Sequence, residues 1–191
     1  MATAGDRTTG RRRSGTRLAR PVVLVGMMGS GKTAVGTALA ARLGLPFRDT
    51  DAAMEEAARM TVPEIFARDG EAFFRDRETE VLRRVLASGP GVVSTGGGAF
   101  LREANRALID AAGVSVWLRA NCDLLWSRVR HRGGRPLLMT ADPKGTLASL
   151  LAEREPFYAL ARIHVDCSPE VSVPVMVGRV VDALRGAEVL Q

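Results

Sequence analysis

Cysteine and histidine are scarce in this chain, which has two of each among 191 residues. Cys122 and Cys167 lie far apart in the sequence and match no spacing of metal ligands. His131 and His164 alone make neither a zinc site nor a histidine-based catalytic triad plausible. Because two distant cysteines give no disulfide framework, we expect a reduced, cytoplasmic protein.

Long apolar runs are also absent, since no stretch approaches the ~20 apolar residues that a membrane-spanning helix needs. The first twenty residues carry six arginines against one acid, Asp6, and they lack the apolar core of a secretory signal. An organelle transit peptide can share this composition, but the segment is short, rich in Gly and Thr, and without an amphipathic stripe. Residues 1–20 are therefore predicted to be a disordered basic tail, and residues 21–191 a single domain.

Most of the net charge of +6 comes from that tail, because six arginines and one aspartate give it +5 and leave +1 for residues 21–191. A nucleic-acid-binding protein is expected to carry its basic surface on the fold. We therefore expect no nucleic-acid partner and no membrane partner. Contact of the tail with RNA or an acidic surface is the alternative.

The most informative stretch runs from Gly26 to Thr33 and reads G-M-M-G-S-G-K-T. It matches the P-loop pattern G-x-x-x-x-G-K-[ST] at each fixed position. An apolar β-branched run precedes it and an amphipathic helical pattern follows it, as the motif requires. In that context the backbone amides cradle phosphates, Lys32 reaches the β- and γ-phosphates, and the Thr33 hydroxyl can ligate Mg²⁺. The sequence therefore predicts a nucleoside triphosphate site.

Short apolar strand patterns alternate with helical patterns along the rest of the chain, without internal repeats. This alternation predicts a parallel sheet covered by helices on both faces, a three-layer α/β/α fold. The spacing of Thr61 and Glu64 predicts a capping box at a helix start, and Asp69-Gly70 is expected to end that helix.

Several polar groups and glycines near predicted strand ends admit both a structural and a functional interpretation. Asp49 and Asp51 suit a carboxylate near Mg²⁺ and one at an acceptor hydroxyl, but Asp51 also suits a helix cap. The glycines at 96–98 fit either a close approach to a ligand or a tight turn.

Three arginines leave similar alternatives. By pattern alone Arg75 belongs to a solvated helix face, and Arg154 pairs with its neighbouring glutamates. Arg135, among Gly and Pro, suits a lid residue that reaches over phosphates, or an ordinary loop arginine.

Six motifs occur in one order at natural intervals: G-M-M-G-S-G-K-T, D-T-D, P-E-I-F-A-R-D-G-E-A-F-F-R, T-G-G-G-A, R-P-L-L and E-R-E-P-F-Y. Together they resemble shikimate kinase over roughly residues 21–185. The resemblance implies transfer of the γ-phosphoryl group of ATP to the 3-hydroxyl of shikimate, with Mg²⁺, in chorismate and aromatic amino-acid biosynthesis. It implies a P-loop kinase fold with a five-stranded parallel sheet, a substrate-binding lobe at about 51–88 and a mobile lid at about 131–145.

The resemblance also implies roles for the matching residues. The residues implied to bind ATP are Gly26, Met27, Met28, Gly29, Ser30, Gly31, Lys32, Thr33, Ala34, Arg130 and Arg135. Those implied to bind shikimate are Asp51, Arg75, Gly96, Gly97, Gly98 and Arg154. Thr33 and Asp49 would hold Mg²⁺, while Asp51, Lys32 and Arg135 would be catalytic. For the arginine that stacks on adenine we choose Arg130 over Arg128.

Two rival hypotheses remain at this point. One is a P-loop kinase acting on gluconate or an aminated shikimate analogue; the D-T-D, G-G-G and R-P-L-L set argues against gluconate. The other is a catalytically silent nucleotide-binding relative, against which the presence of Lys32, Asp49, Asp51 and Arg135 argues. No long apolar surface stripe demands a partner, so we expect a monomer.

Overall fold

The computed structural model describes residues 18–131 and 136–190 of the chain. The five strands are β1 (Val22–Val25), β2 (Phe47–Asp49), β3 (Val92–Ser94), β4 (Val114–Arg119) and β5 (Ile163–Asp166). The α-helices in the described ranges are α1 (Lys32–Leu43), α2 (Thr50–Ala58), α3 (Val62–Ala87), α4 (Glu103–Ala112), α5 (Cys122–Val129), α6 (Pro143–Tyr158) and α7 (Val173–Gly186). Short 3-10 helices lie at Ala99–Leu101 and Pro136–Leu138.

The strands form one parallel sheet in the order β2-β3-β1-β4-β5, with β1 at its centre. Side chains of β1 alternate between two separate cores, because successive residues of a strand point to opposite faces. Val22 and Leu24 pack in the core that contains residues of α1 and α7, whereas Val23 and Val25 pack in the core that contains residues of α2 to α6. The predicted three-layer fold with a five-stranded parallel sheet is therefore confirmed.

Helix α3 begins as the sequence indicates, and it is interrupted where the sequence predicts a break. The Thr61 hydroxyl accepts from the Glu64 amide while the Glu64 carboxylate accepts from the Thr61 amide, which completes a capping box. Gly70, at φ 79° and ψ 173°, is non-helical and separates two helical parts of this span. Phe66 and Phe74 lie on either side of the kink with ring centroids 4.3 Å apart. The expected helix break at Asp69-Gly70 is therefore confirmed as a kink between the two helical parts of α3.

The start of the described chain packs against its end. Leu18 is buried and forms an antiparallel bridge with Leu190, so this residue of the predicted tail packs against the fold. The rest of the predicted tail, residues 1–17, lies outside the described residues. Within the described ranges, no helix combines the length and apolar character needed to cross a membrane.

Candidate active site

The P-loop joins the carboxyl end of β1 to α1, whose N-cap is Gly31 in the left-handed conformation at φ 98°. Lys32, the first residue of α1, is buried, and its Nζ donates to the carbonyl oxygens of Gly26 at 2.7 Å and Met27 at 3.1 Å. A cleft of about 440 Å³ opens beside this loop. Because the amides of a helix N-terminus favour anions, the cleft has the form of a phosphate site.

A hydroxyl and a carboxylate meet at the edge of this cleft. Oγ1 of Thr33 lies 3.3 Å from Oδ2 of Asp49. The other carboxylate oxygen of Asp49 accepts from the amides of Asp51 at 3.0 Å and Ala52 at 3.4 Å, which caps α2. The capping role considered for Asp51 therefore belongs to Asp49, while Oδ2 of Asp49 still faces Thr33.

Asp51, in the first turn of α2, lies against the loop that follows β3. A Cβ atom added to Gly96 would lie 2.6 Å from Oδ1 of Asp51, so this approach requires a glycine. Burial is the main reason that the pKa of Asp51 rises to about 6, and the neighbouring charge of Asp49 raises it further while Lys32 opposes the rise. Asp51 is thus a carboxylate that titrates near neutral pH, which suits a group that exchanges a proton with a substrate.

Arg75 projects from α3 toward the same loop. Its guanidinium donates to Glu78 at 3.0 Å and to Glu71 at 3.3 Å, and it lies over the rings of Phe66 and Phe74. Glu78 is almost fully buried, and burial raises its pKa despite the opposing charge of Arg75. The buried carboxylate of Glu78 and the two aromatic rings hold the guanidinium in position.

Arg154, on α6, also lies close to this loop. It is buried, and its Nη1 would lie 3.7 Å from a Cβ atom added to Gly97. Among the described residues it forms no ion pair with the flanking glutamates, so the surface pairing considered for it does not occur. One turn along α6, the Tyr158 hydroxyl donates to the Gly97 carbonyl at 2.6 Å. The glycines of 96–98 therefore lie between Asp51, Arg75 and Arg154.

Of the two arginines considered for the adenine contact, Arg128 is the one placed at the P-loop. Its Nη1 donates to the carbonyl oxygens of Gly29 and Ser30, each at 3.2 Å, and the residue lines the cleft. Arg130 is exposed at the C-cap of α5 and does not line the cleft. Arg135 lies outside the described residues.

Glu78 and Tyr158 were given no role from the sequence, and Arg128 was considered only as the second choice after Arg130. Glu78 was part of a charge-laced helix, although its spacing of three from Arg75 is that of a helical ion pair. Arg128 follows the buried Leu124 and Leu125 by four and three residues, a spacing that places it on the inward face of α5. Tyr158 gave no comparable local signal, because its partner Gly97 is 61 residues away.

Comparisons with known proteins identify the family of this chain. A family model described as shikimate kinase matches residues 28–185. A shikimate kinase of Ruegeria pomeroyi is 59% identical over 167 residues, which cover 87% of this chain and 86% of that protein. A shikimate kinase of Cereibacter sphaeroides is 54% identical over 180 residues, 94% of this chain and 89% of that protein.

A solved structure of shikimate kinase from Acinetobacter baumannii in complex with shikimate also resembles this chain. It superposes with a TM-score of 0.84 at 33% identity, and the match covers 89% of this chain and 95% of that one.

Proposed function

This chain belongs to the shikimate kinase family and is an ATP-dependent kinase of shikimate, and we propose that the groups around the P-loop cleft transfer the γ-phosphoryl group to the 3-hydroxyl. One observation carries the proposal. Asp51 and the glycines of 96–98 lie between the phosphate loop and two buried or half-buried arginines, Arg75 and Arg154. An acceptor that carries both a carboxylate and a hydroxyl fits that arrangement.

Each group then has a distinct task. The two arginines bind the carboxylate of shikimate, since a guanidinium fits a carboxylate by paired hydrogen bonds. Asp51 accepts a hydrogen bond from the acceptor hydroxyl and takes its proton as the new P–O bond forms. Lys32 exchanges its contacts with the loop carbonyls for contacts with the phosphates, where its charge offsets the charge that develops during transfer.

The donor atoms beside the P-loop fit Mg²⁺, which is supplied with ATP. Mg²⁺ prefers oxygen ligands and keeps several waters, so one or two protein groups together with the phosphates suffice. Thr33 Oγ1 and Asp49 Oδ2 supply such oxygens side by side. Within the described residues no cluster of three or more His, Cys, Asp or Glu forms a separate metal site. Bound there, Mg²⁺ would neutralise phosphate charge, and Thr33 and Asp49 would hold it.

For the nucleotide base, we propose Arg128 in place of Arg130. Arg128 already lies on the rim of the P-loop, where its guanidinium plane can stack on adenine while its charge stays near the phosphates. Across the cleft, Val171 and Val173 provide an apolar wall. Arg135 remains our proposal for the lid arginine that closes over both substrates.

The test is ADP release by the purified protein with Mg-ATP, in the presence of shikimate, an aminated shikimate analogue, gluconate or no acceptor. We expect release to depend on shikimate, with a product heavier by one phosphoryl group. Equal rates with all acceptors, or none with shikimate while ATP binds, would contradict the assignment. The named relatives are shikimate kinases, which favours shikimate over the analogue and over a silent relative.

We further propose a cytoplasmic monomer without a nucleic-acid partner. In support, residues 21–191 carry a formal charge of only +1, as the tail accounts for +5 of the total +6. Large exposed apolar side chains of the described residues are spread over separate elements, as Phe73 on α3, Leu160 after α6 and Val175 on α7 show. Light scattering on the full chain tests the oligomeric state; a dimer mass would refute it.

A further inference from the structure

The Tyr158 side chain connects helix α6, which carries Arg154, to the glycines of 96–98 in the loop after β3. It is the last residue of α6, one turn after Arg154, and its side chain is fully buried. Its hydroxyl donates to the carbonyl of Gly97 at 2.6 Å. Burial raises the pKa of Tyr158 to about 12, although the charge of Arg154 opposes the rise. The hydroxyl therefore keeps its proton at neutral pH and remains a donor.

The Gly97 segment, residues 96–98, depends on contacts from other elements because its own residues have no side chains that could hold it in place. Three successive glycines have no side chains to pack, and their backbone has more freedom than that of other residues. A Cβ atom added to Gly97 would lie 3.7 Å from both Arg154 Nη1 and the amide nitrogen of Met28. The segment therefore lies between Arg154 of α6 and the P-loop, and a shift of its backbone would change its distance to both.

The Tyr158 ring is itself held from several directions. Its centroid is 6.1 Å from that of Trp117 on β4, and Sδ of Met27 lies 3.9 Å from its hydroxyl oxygen. The preceding residue gives a second support, since the guanidinium of Arg106 lies over the Phe157 ring and donates to the carbonyls of Phe100 and Leu101. The end of α6 thus holds the loop after β3 at two points.

We propose that Tyr158 is a positioning residue, whose hydrogen bond to Gly97 sets the distance between the glycine backbone and Arg154 and thereby the shape of the shikimate site. The inference rests on the proposed function of that site. Tyr158 acts through Gly97 and Arg154 and takes no part in phosphoryl transfer. Its loss weakens shikimate binding in the ground state and transition state alike, which raises KM and leaves kcat nearly unchanged.

The test variant is Tyr158→Phe, which keeps the buried ring and removes only the hydroxyl. A hydrogen bond of this kind corresponds to about a three- to tenfold change in an equilibrium constant, so KM for shikimate should rise about three- to tenfold. The KM for ATP and the kcat should change less than about twofold. An unchanged KM for shikimate would overturn the proposal, as would an equal rise in KM for both substrates.

A matched control separates positioning from general stability. The Ser115 hydroxyl on β4 is buried and accepts from the Arg162 amide at 3.0 Å, away from the glycine segment. Ser115→Ala removes a comparable buried hydrogen bond, so we expect a lower thermal midpoint and an unchanged KM for shikimate. If Ser115→Ala raised that KM as much as Tyr158→Phe, the effect would be one of stability and the proposal would fail.

A double variant tests whether Tyr158 acts together with Arg154. Residues of one contact network give effects that do not combine independently. Arg154→Lys keeps the charge but loses the paired geometry, so little remains for Tyr158 to position. The combined rise in KM should therefore be clearly smaller than the product of the two single effects. A rise equal to that product would contradict the proposal, whereas shikimate-independent ADP release in the wild type would instead refute the function on which it rests.

Discussion

The guanidinium of Arg75 lies where a side chain at Gly98 would have to be. A Cβ atom added to Gly98 would be 2.5 Å from Nη1 and 2.7 Å from Nη2 of Arg75. The backbone of Gly98 is in the ordinary helical region, at φ −90° and ψ −16°, so an alanine there would meet no backbone strain. An alanine at this position would instead have to displace the guanidinium of Arg75.

This relationship predicts a specific defect in Gly98→Ala. The new methyl group should displace Arg75, the flexible partner, and lower the affinity for shikimate while leaving the backbone intact. We expect KM for shikimate to rise by about tenfold or more, with KM for ATP nearly unchanged, because a displaced guanidinium loses a charge-assisted contact. Steady-state kinetics with each substrate varied in turn measure this difference.

The control is Gly186→Ala at the end of α7, where an added Cβ atom meets nothing within 4 Å. Both kinetic constants should match the wild type there. If Gly98→Ala kept the wild-type KM for shikimate, Arg75 would have room to move without loss, and its role as a fixed carboxylate ligand would be wrong.

Asp51→Asn should abolish turnover without abolishing ATP binding. An amide has nearly the shape of the carboxylate but cannot accept the proton of the acceptor hydroxyl. We expect kcat to fall by at least about a hundredfold, since general-base groups contribute on that order. Titration calorimetry with ATP should give a dissociation constant close to that of the wild type. Preserved turnover would remove Asp51 from its assigned role.

Arg128→Ala and Arg130→Ala form a matched pair that identifies the adenine contact. Arg128 contacts the P-loop carbonyls, whereas Arg130 is exposed at the end of α5. We expect Arg128→Ala to raise KM for ATP about five- to thirtyfold, equivalent to losing about 1–2 kcal/mol of stacking and charge interaction. Arg130→Ala should have little effect. The opposite order would restore the choice of Arg130 made from the sequence.

Arg128 and Arg130 occupy different positions because of the rotation of the helix between them. Residues two positions apart on an α-helix are related by a rotation of about 200°. The side chains of Arg128 and Arg130 therefore point to nearly opposite faces at the end of α5. The P-loop motif needed no such knowledge, because its pattern, strand and helix are contiguous in sequence. For the arginines, the phase is set by the buried residues Leu124, Leu125 and Val129.

Contacts between distant segments set the remaining limit on prediction from the sequence. Asp51 was considered as the cap of the following helix, whereas the cap is Asp49, two residues earlier. The sequence alone did not show at which residue α2 begins. The support of Gly97 by Tyr158 depends on a fold that brings residues 61 positions apart into contact. Similarly, the packing of Phe66 on Phe74 depends on the angle between the two helical parts of α3 that meet at Gly70. No local pattern contains these facts.

The raised pKa of Asp51 predicts a stability that falls as pH rises. Burial and the charge of Asp49 raise the pKa from 3.8 to about 6 in the folded protein. Between these values the folded state binds more protons than the unfolded chain, so the free energy of unfolding decreases with increasing pH across that window. Above this pH window, ionised Asp51 lowers the free energy of unfolding by its full amount, on the order of 3 kcal/mol. Protonation of Asp51 should also make kcat/KM for shikimate fall as the pH is lowered.

Asp51→Asn removes this ionisation. The substitution should therefore stabilise the protein, although it abolishes turnover. In ligand-free, magnesium-free buffer near pH 7.5 we expect the thermal midpoint of the variant to exceed that of the wild type by several degrees, equivalent to about 1–3 kcal/mol. The difference should shrink near pH 5, where Asp51 is mostly protonated in the folded wild type. Asp110→Asn, on the exposed face of α4, removes an equal charge without burial and serves as the control. A midpoint difference that does not depend on pH would show that the folded protein does not destabilise the ionised carboxylate of Asp51. A raised pKa would then not explain its proposed role as a base.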